Sequence, residues 1–177
     1  FNWCADLVLA NSKSEQNRLV RKGLKPKKIR VVHNAVYTNV GADVVEMAHL
    51  RGELGIRGGH VVMAVGRLSP EKGHAYLLRA AQIVARRVPD LEVVLVGDGP
   101  LRNDLHNLAE RLGISGFVHF TQMRRDVGKL IPLATVVALP SLEESFGNAA
   151  LEAMAGAKPV VASHVGGLPE VVADGVT

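Results

Sequence analysis

The sequence predicts a doubly wound α/β domain, a parallel sheet with helices on both faces. Apolar runs of strand length recur at 61–65, 91–96, 136–139 and 160–162. They are nearly continuous rather than alternating, as in strands covered on both sides. Segments of helical spacing separate them, so strand and helix alternate from about His60 to the end.

The first forty residues read as a separate unit. A strand is expected over Asp6 to Ala10, and Asn11-Ser12-Lys13-Ser14 offers a helix cap through Ser12 or Ser14. A short helix follows from Glu15 to Lys22, Gly23 ends it, and Ile29 to His33 forms a second strand. A strand–helix–strand unit of this size cannot bury its own faces and needs a further sheet.

The remaining elements follow in order. After the strand 61–65, a helix over His74 to Val88 places Leu77, Ala80, Ala81, Val84 and Val88 on one stripe, and Pro89-Asp90 stops it. After the strand 91–96, Pro100 to Leu112 spaces Leu101, Leu105, Leu108 and Leu112 helically, with Gly113 as the C-terminal cap. A strand over Phe117 to Thr121 and a short helix through Val127, Leu130, Ile131 and Ala134 come next. A last helix, Asn148 to Ala155, lies between the final two strands.

Composition narrows the function classes. Apolar residues make up 47% and charged residues 21%, as in a soluble globular protein. Aromatics at 4% disfavour a stacking platform for single-stranded nucleic acid. The single cysteine, Cys4, excludes an intrachain disulfide and a cysteine zinc cluster. The histidines show no metal spacing, and no metal or cofactor is expected. No apolar run reaches the ~18 residues that span a bilayer. The net charge of +4 suits an anionic ligand or an anionic membrane surface. Arg18, Arg21, Lys22, Lys25, Lys27, Lys28 and Arg30 crowd one stretch, which reads either as a solvated helix end or as a peripheral membrane contact. A reducing, cytoplasmic setting follows, with the inner face of a membrane as its variant. Phe1-Asn2-Trp3 and Gly175-Val176-Thr177 read as cuts, which makes the chain a fragment without observable targeting segments.

In sheets of this kind ligands sit beyond the carboxyl ends of the strands. Four loops lie there. Gly66-Arg67-Leu68-Ser69-Pro70-Glu71-Lys72-Gly73 brings two cations that suit a pyrophosphate, and equally forms a turn before a helix. Gly97-Asp98-Gly99-Pro100 permits close backbone approach, but the third glycine of a dinucleotide fingerprint is absent. Glu144-Ser145-Phe146-Gly147-Asn148 opens a helix whose free N–H groups favour anions. Glu144 and Glu152 flank that helix start, and ionised carboxylates accept hydrogen bonds from sugar or ribose hydroxyls. Each also has a plain reading, as a cap or an exposed helix charge. Ser163-His164-Val165-Gly166-Gly167-Leu168-Pro169-Glu170 again pairs glycines, and Pro169 and Glu170 suit the first turn of a helix.

The ordered set Gly66-Arg67-Leu68…Glu71-Lys72-Gly73, Gly97-Asp98-Gly99-Pro100, Glu144-Ser145-Phe146-Gly147…Leu151-Glu152-Ala153-Met154-Ala155 and Gly166-Gly167-Leu168-Pro169-Glu170 resembles the retaining group-1 (family 4) glycosyltransferases of the GT-B fold. The resemblance implies that residues 41–177 are the Rossmann-like domain that binds a nucleotide sugar. Residues 1–40 are then the end of the acceptor domain, with Asn34-Ala35 standing where the family usually has Asn-Gly. It implies that Arg67 and Lys72 grip the donor diphosphate, with Glu144 on hydroxyls of the transferred hexose. Gly147 and Asn148 lend amides, Glu152 takes the ribose diol, Gly97 belongs to the donor site, and Gln122, Met123 and Arg124 lie where family members contact the base.

The implied activity is transfer of a sugar from a nucleoside diphosphate to a hydroxyl of a sugar or lipid acceptor, held by a domain outside this chain. The chain alone is then expected to be inactive. Two other readings share the site: a non-catalytic nucleotide-sugar-binding module, and a GT-B sugar-nucleotide epimerase or phosphorylase.

Overall fold

A computed structural model describes residues 5–37 and 41–175. Phe1-Asn2-Trp3, Cys4, the expected boundary at residue 40, and Val176 and Thr177 lie outside the described residues. Two parallel sheets are present, one of two strands and one of five.

The small sheet pairs β1 (Val8–Ala10) with β2 (Ile29–Val31), Leu9 opposite Arg30. Helix α1 (Lys13–Arg21) crosses between them. Of the two expected caps the structure uses Ser12, whose side chain accepts from Glu15 N. The basic stretch occupies the end of α1, the turn after it and β2. Arg18 is tied to Glu15, and Arg21, Lys22, Lys27 and Arg30 are exposed.

The large sheet runs β5 (Val118–Phe120), β4 (Leu91–Val96), β3 (His60–Val65), β6 (Val136–Leu139), β7 (Val160–Ala162), all parallel. Helices cover both faces, as the sequence predicts. On one side Leu77, Leu78 and Ala81 of α3 (His74–Val84) and Leu105, Leu108 and Ala109 of α4 (Arg102–Arg111) pack on Ala64, Val93 and Leu95. On the other, α5 (Val127–Leu130) and α6 (Asn148–Ala155) bring Leu130, Ala150 and Ala153 to Met63, Val94, Val96 and Val137. From Val93 to Val96 successive residues of β4 thus alternate between two cores, and all six residues of the strand are buried. From Val93 to Val96 every residue is apolar, as a strand with a core on each face requires, and Glu92 is the one polar residue of β4.

One helix is additional to those the sequence predicts. α2 (Val44–Leu54) is capped by Asp43, which accepts from Glu46 N, and ends at Gly55 in the left-handed region. Only Leu50 of α2 is buried, while Val44 and Val45 are exposed, so its apolar residues form no clean stripe. The helix expected to reach Val88 ends at Val84, and the turn after β7 is a single 3-10 turn, Leu168–Glu170.

Candidate functional site

The strand order decides where a ligand can sit. From β3 the chain moves outward through β4 to β5, then returns to the other side of β3 as β6. The order reverses between β3 and β6, and residues of their two outgoing loops line a crevice. Those loops are 66–73 and 140–147, two of the four that the sequence singles out.

The loop after β3 closes on a 3-10 turn, Pro70–Lys72, and enters α3 through Gly73. Gly73 has φ +67°, and a Cβ there would lie 2.0 Å from Pro140 O. Only glycine lets the loops of β3 and β6 touch at this point. They are also tied by backbone: Leu142 N and Glu143 N both donate to Glu71 O, at 2.8 and 3.2 Å. The contact brings Lys72 Nζ within 2.6 Å of Glu144 Oε2, joining residues that stand 72 apart in sequence. Ser141 Oγ adds a longer bond of 3.4 Å to the same oxygen.

Helix α6 begins beside this pair. Gly147 precedes it at φ +101°, with no side-chain cap, and a Cβ there would lie 2.5 Å from Leu168 Cδ2. The first amides of α6 therefore face the crevice without an intrahelical partner. Glu152, half-buried on the first turns of α6, has its carboxyl pushed above the usual range by burial.

The crevice is a cleft of about 270 Å³ that contains Arg67, Lys72, Glu144, Gly147, Asn148 and Glu152 in its walls. Six of the eight residues singled out from the sequence thus meet in one place. Gly97 and Met123 lie instead in an adjoining cavity of about 530 Å³, with Asp98, Gly99 and Arg124. Val65, Gly66 and Arg67 line both spaces, so the two are continuous across Arg67. Two lobes joined over a cation match a ligand with a phosphate-like middle and two neutral ends. His164 is exposed and lines neither lobe.

Three further lining residues carry no role in the sequence reading: Asn11, Asn34 and His74. Asn34 Nδ2 donates to Asn148 Oδ1 at 2.8 Å, which joins the small sheet to the start of α6. Asn11 and Asn34 follow β1 and β2, so the rule that points to the carboxyl ends of strands, applied to the small unit as well, would have found them. His74 is buried, and its pKa falls to about 4 because burial disfavours the charged ring and Lys72 repels it. Its Nδ1 and Asn11 Oδ1 have no hydrogen-bond partner.

Among the described residues no helix is long and apolar enough to cross a membrane.

The family model for "Glycosyl transferases group 1" matches residues 59–177. A D-inositol 3-phosphate glycosyltransferase of Kribbella flavida is 40% identical over 98% of this chain and 44% of its own length. One from Mycobacteroides abscessus is 39% identical over 96% of this chain and 39% of its own. The crystal structure of Anabaena HepE in complex with UDP-glucose superimposes with a TM-score of 0.88 at 34% identity, covering 97% of this chain and 48% of that one. The chain spans less than half the length of these relatives. The match over more than half of the chain, on a site assembled as above, places this chain in the glycosyl transferases group 1 family.

Proposed function

We propose that the protein containing this chain is a retaining glycosyltransferase that moves a hexose from a nucleoside diphosphate to a hydroxyl acceptor, and that this chain holds the donor. The observation that carries the reading is the Lys72–Glu144 pair, at 2.6 Å, set beside the uncapped start of α6 in a cleft that runs under Arg67.

The bond between the sugar's anomeric carbon and the diphosphate oxygen breaks, and negative charge grows on the leaving group. Arg67, Lys72 and the amides of Gly147 and Asn148 meet that charge as groups already in place. Lys72 gives up one contact to Glu144 when a phosphate arrives, and Glu144 is left as an acceptor for hexose hydroxyls. Glu152 takes the ribose diol, and the base lies over Gly97 and Met123. The UDP-glucose complex of HepE supports a uridine donor for this cleft. The acceptor, a sugar or lipid hydroxyl, belongs to the part of the protein outside residues 1–177, with residues 1–40 as the end of the acceptor domain. The exposed basic face of 18–30 fits an anionic membrane surface, and salt-sensitive binding to anionic liposomes tests that contact.

The central test is a thermal-shift panel of UDP, GDP and ADP sugars, in which a ligand at 100 times its Kd adds about 2.7 kcal/mol. One family of donors should stabilise the protein, and Lys72→Ala and Glu152→Ala should each weaken the shift. No shift with any donor sinks the reading.

A further inference from the structure

Glu170 stands outside the cleft, yet its side chain crosses to the small sheet. Oε2 accepts from Lys13 N and Oε1 from Ser14 N, each at 2.8 Å. These are the first two amides of α1, which have no partner inside the helix. The third, Glu15 N, goes to Ser12 Oγ at 2.9 Å, and that hydroxyl in turn donates to Ser145 O at 2.6 Å. His33 closes the arrangement. Its ring stacks on Phe146 with centroids 5.5 Å apart, and its Nε2 lies 3.5 Å from Glu170 Oε2.

The turn that carries Glu170 is itself fixed to the loop after β6, since Gly167 N donates to Glu144 O at 2.9 Å. Partial desolvation opposes the charge on Glu170, but the two α1 amides and the His33 ring outweigh it and hold the carboxyl below its usual range. Asn11 precedes Ser12 and Asn34 follows His33, and both line the cleft. Ser12 and His33, which join the small sheet to these loops, thus each neighbour a residue of the cleft wall.

We propose that Glu170 is a positioning residue, whose carboxylate, seated on the first two amides of α1, fixes the small sheet over the cleft and sets Asn11 and Asn34 against the bound donor. The role at the donor rests on the function proposed above. A carboxylate suits the position because it has acceptors for both amides and complements the positive end of the helix. A neutral amide turns one N–H-bearing group toward a donor.

Two variants of the intact protein test it. Glu170→Gln keeps the shape and removes the charge. Lys13→Pro removes one of the two amides, at a first helical position where proline is favoured. The preceding Ser12 is extended, with φ −151° and ψ 162°, as a residue before proline must be. Amide hydrogen exchange should speed up at least about tenfold over 12–21 in Glu170→Gln, with 91–96 unchanged, as local opening requires. With a UDP sugar, kcat should fall about tenfold while the Kd for UDP alone stays within about twofold, a transition-state loss without a ground-state one. Adding Lys13→Pro to Glu170→Gln should cost little more, because both act on one contact.

Unchanged exchange over 12–21 overturns the proposal. So does acceleration spread through 91–96, an unaltered kcat, or fully additive losses in the double variant. If the wild-type protein neither binds UDP nor uses a UDP sugar, the functional reading fails by itself. Exchange still decides whether Glu170 holds the small sheet.

Discussion

The five-stranded sheet carries a carboxylate paired with a nitrogen base at each end, and the two pairs are built differently. At the amino end Glu92 of β4 meets His119 of β5, Oε2 to Nε2 at 2.6 Å. Its other oxygen accepts from Arg57 N and Gly58 N at 2.8 and 2.6 Å. At the carboxyl end Glu144 meets Lys72 at 2.6 Å, with only the long Ser141 contact besides, both on Oε2. Its Oε1 has no hydrogen-bond partner among the described residues. The two carboxylates are similarly buried, Glu92 at 8% and Glu144 at 11% exposure, while their partners His119 and Lys72 are 18% and 27% exposed.

A filled, buried carboxylate is a fastening. One with an unused oxygen, facing a cleft and paired to a reachable cation, has capacity left for a ligand. Both pairs join residues far apart in sequence, Glu92 with His119 on two strands and Lys72 with Glu144 on two loops, so an ion pair by itself does not tell the two apart. The unused acceptor does.

The comparison can be broken at either end. The largest effect is expected from Glu92→Ala, which leaves His119 and two amides without their acceptor. Loss of one partner of a buried pair costs about 3–5 kcal/mol, readable as a lowered urea midpoint, with nucleotide affinity of the folded protein retained. A variant as stable as the parent would remove the distinction.

Lys72→Ala should do the opposite. If the intact protein catalyses the proposed transfer, its kcat/KM should fall by the equivalent of about 2.7–4 kcal/mol, as for a lost oxyanion donor. Unfolding should move by no more than about 1 kcal/mol, since the pair is partly exposed. Similar losses in stability and activity would make Lys72 a fastening like Glu92.

His74 sharpens the contrast through pH. Its folded pKa of about 4 lies below the ordinary 6.5. As pH falls through 6.5 the unfolded chain takes up a proton that the native ring refuses, so stability is lost across the window from 6.5 down to about 4. The loss totals on the order of 3 kcal/mol. Urea titrations at several pH values should show that slope in the parent and a flatter one in His74→Leu. Equal slopes would mean that the ring is not held neutral.

Asn34→Ala should have the smallest effect. It removes one exposed hydrogen bond to Asn148, worth about 1 kcal/mol or less in thermal unfolding. A larger loss would show that the small sheet depends on this contact more than on Glu170.

The strands at 91–96, 136–139 and 160–162 and the helix at 148–155 are legible from periodicity to the residue. The cap of α1 is legible only as a choice between Ser12 and Ser14, and the structure settles it on Ser12, three residues before the helix start read from the sequence. Helix α2 carries local signals too, Asp43 with Glu46 and then Gly55, but its exposed Val44 and Val45 blur the apolar stripe that would have joined them. Of the site, Arg67, Lys72, Glu144, Gly147, Asn148 and Glu152 were readable as loop chemistry, since their residue types and their places after strands are local facts.

By itself, then, the sequence determined the alternation of strand and helix, the double covering of the sheet and the set of loops beyond the carboxyl ends of the strands. Burial and backbone preference act over a few residues, and a sequence displays them directly. Only the tertiary structure decided that the strand order reverses between β3 and β6, that Lys72 meets Glu144, and that Glu170 caps a helix 156 residues away. Those pairings depend on which side of β3 each crossover takes, and a parallel sheet leaves that choice to packing between distant segments.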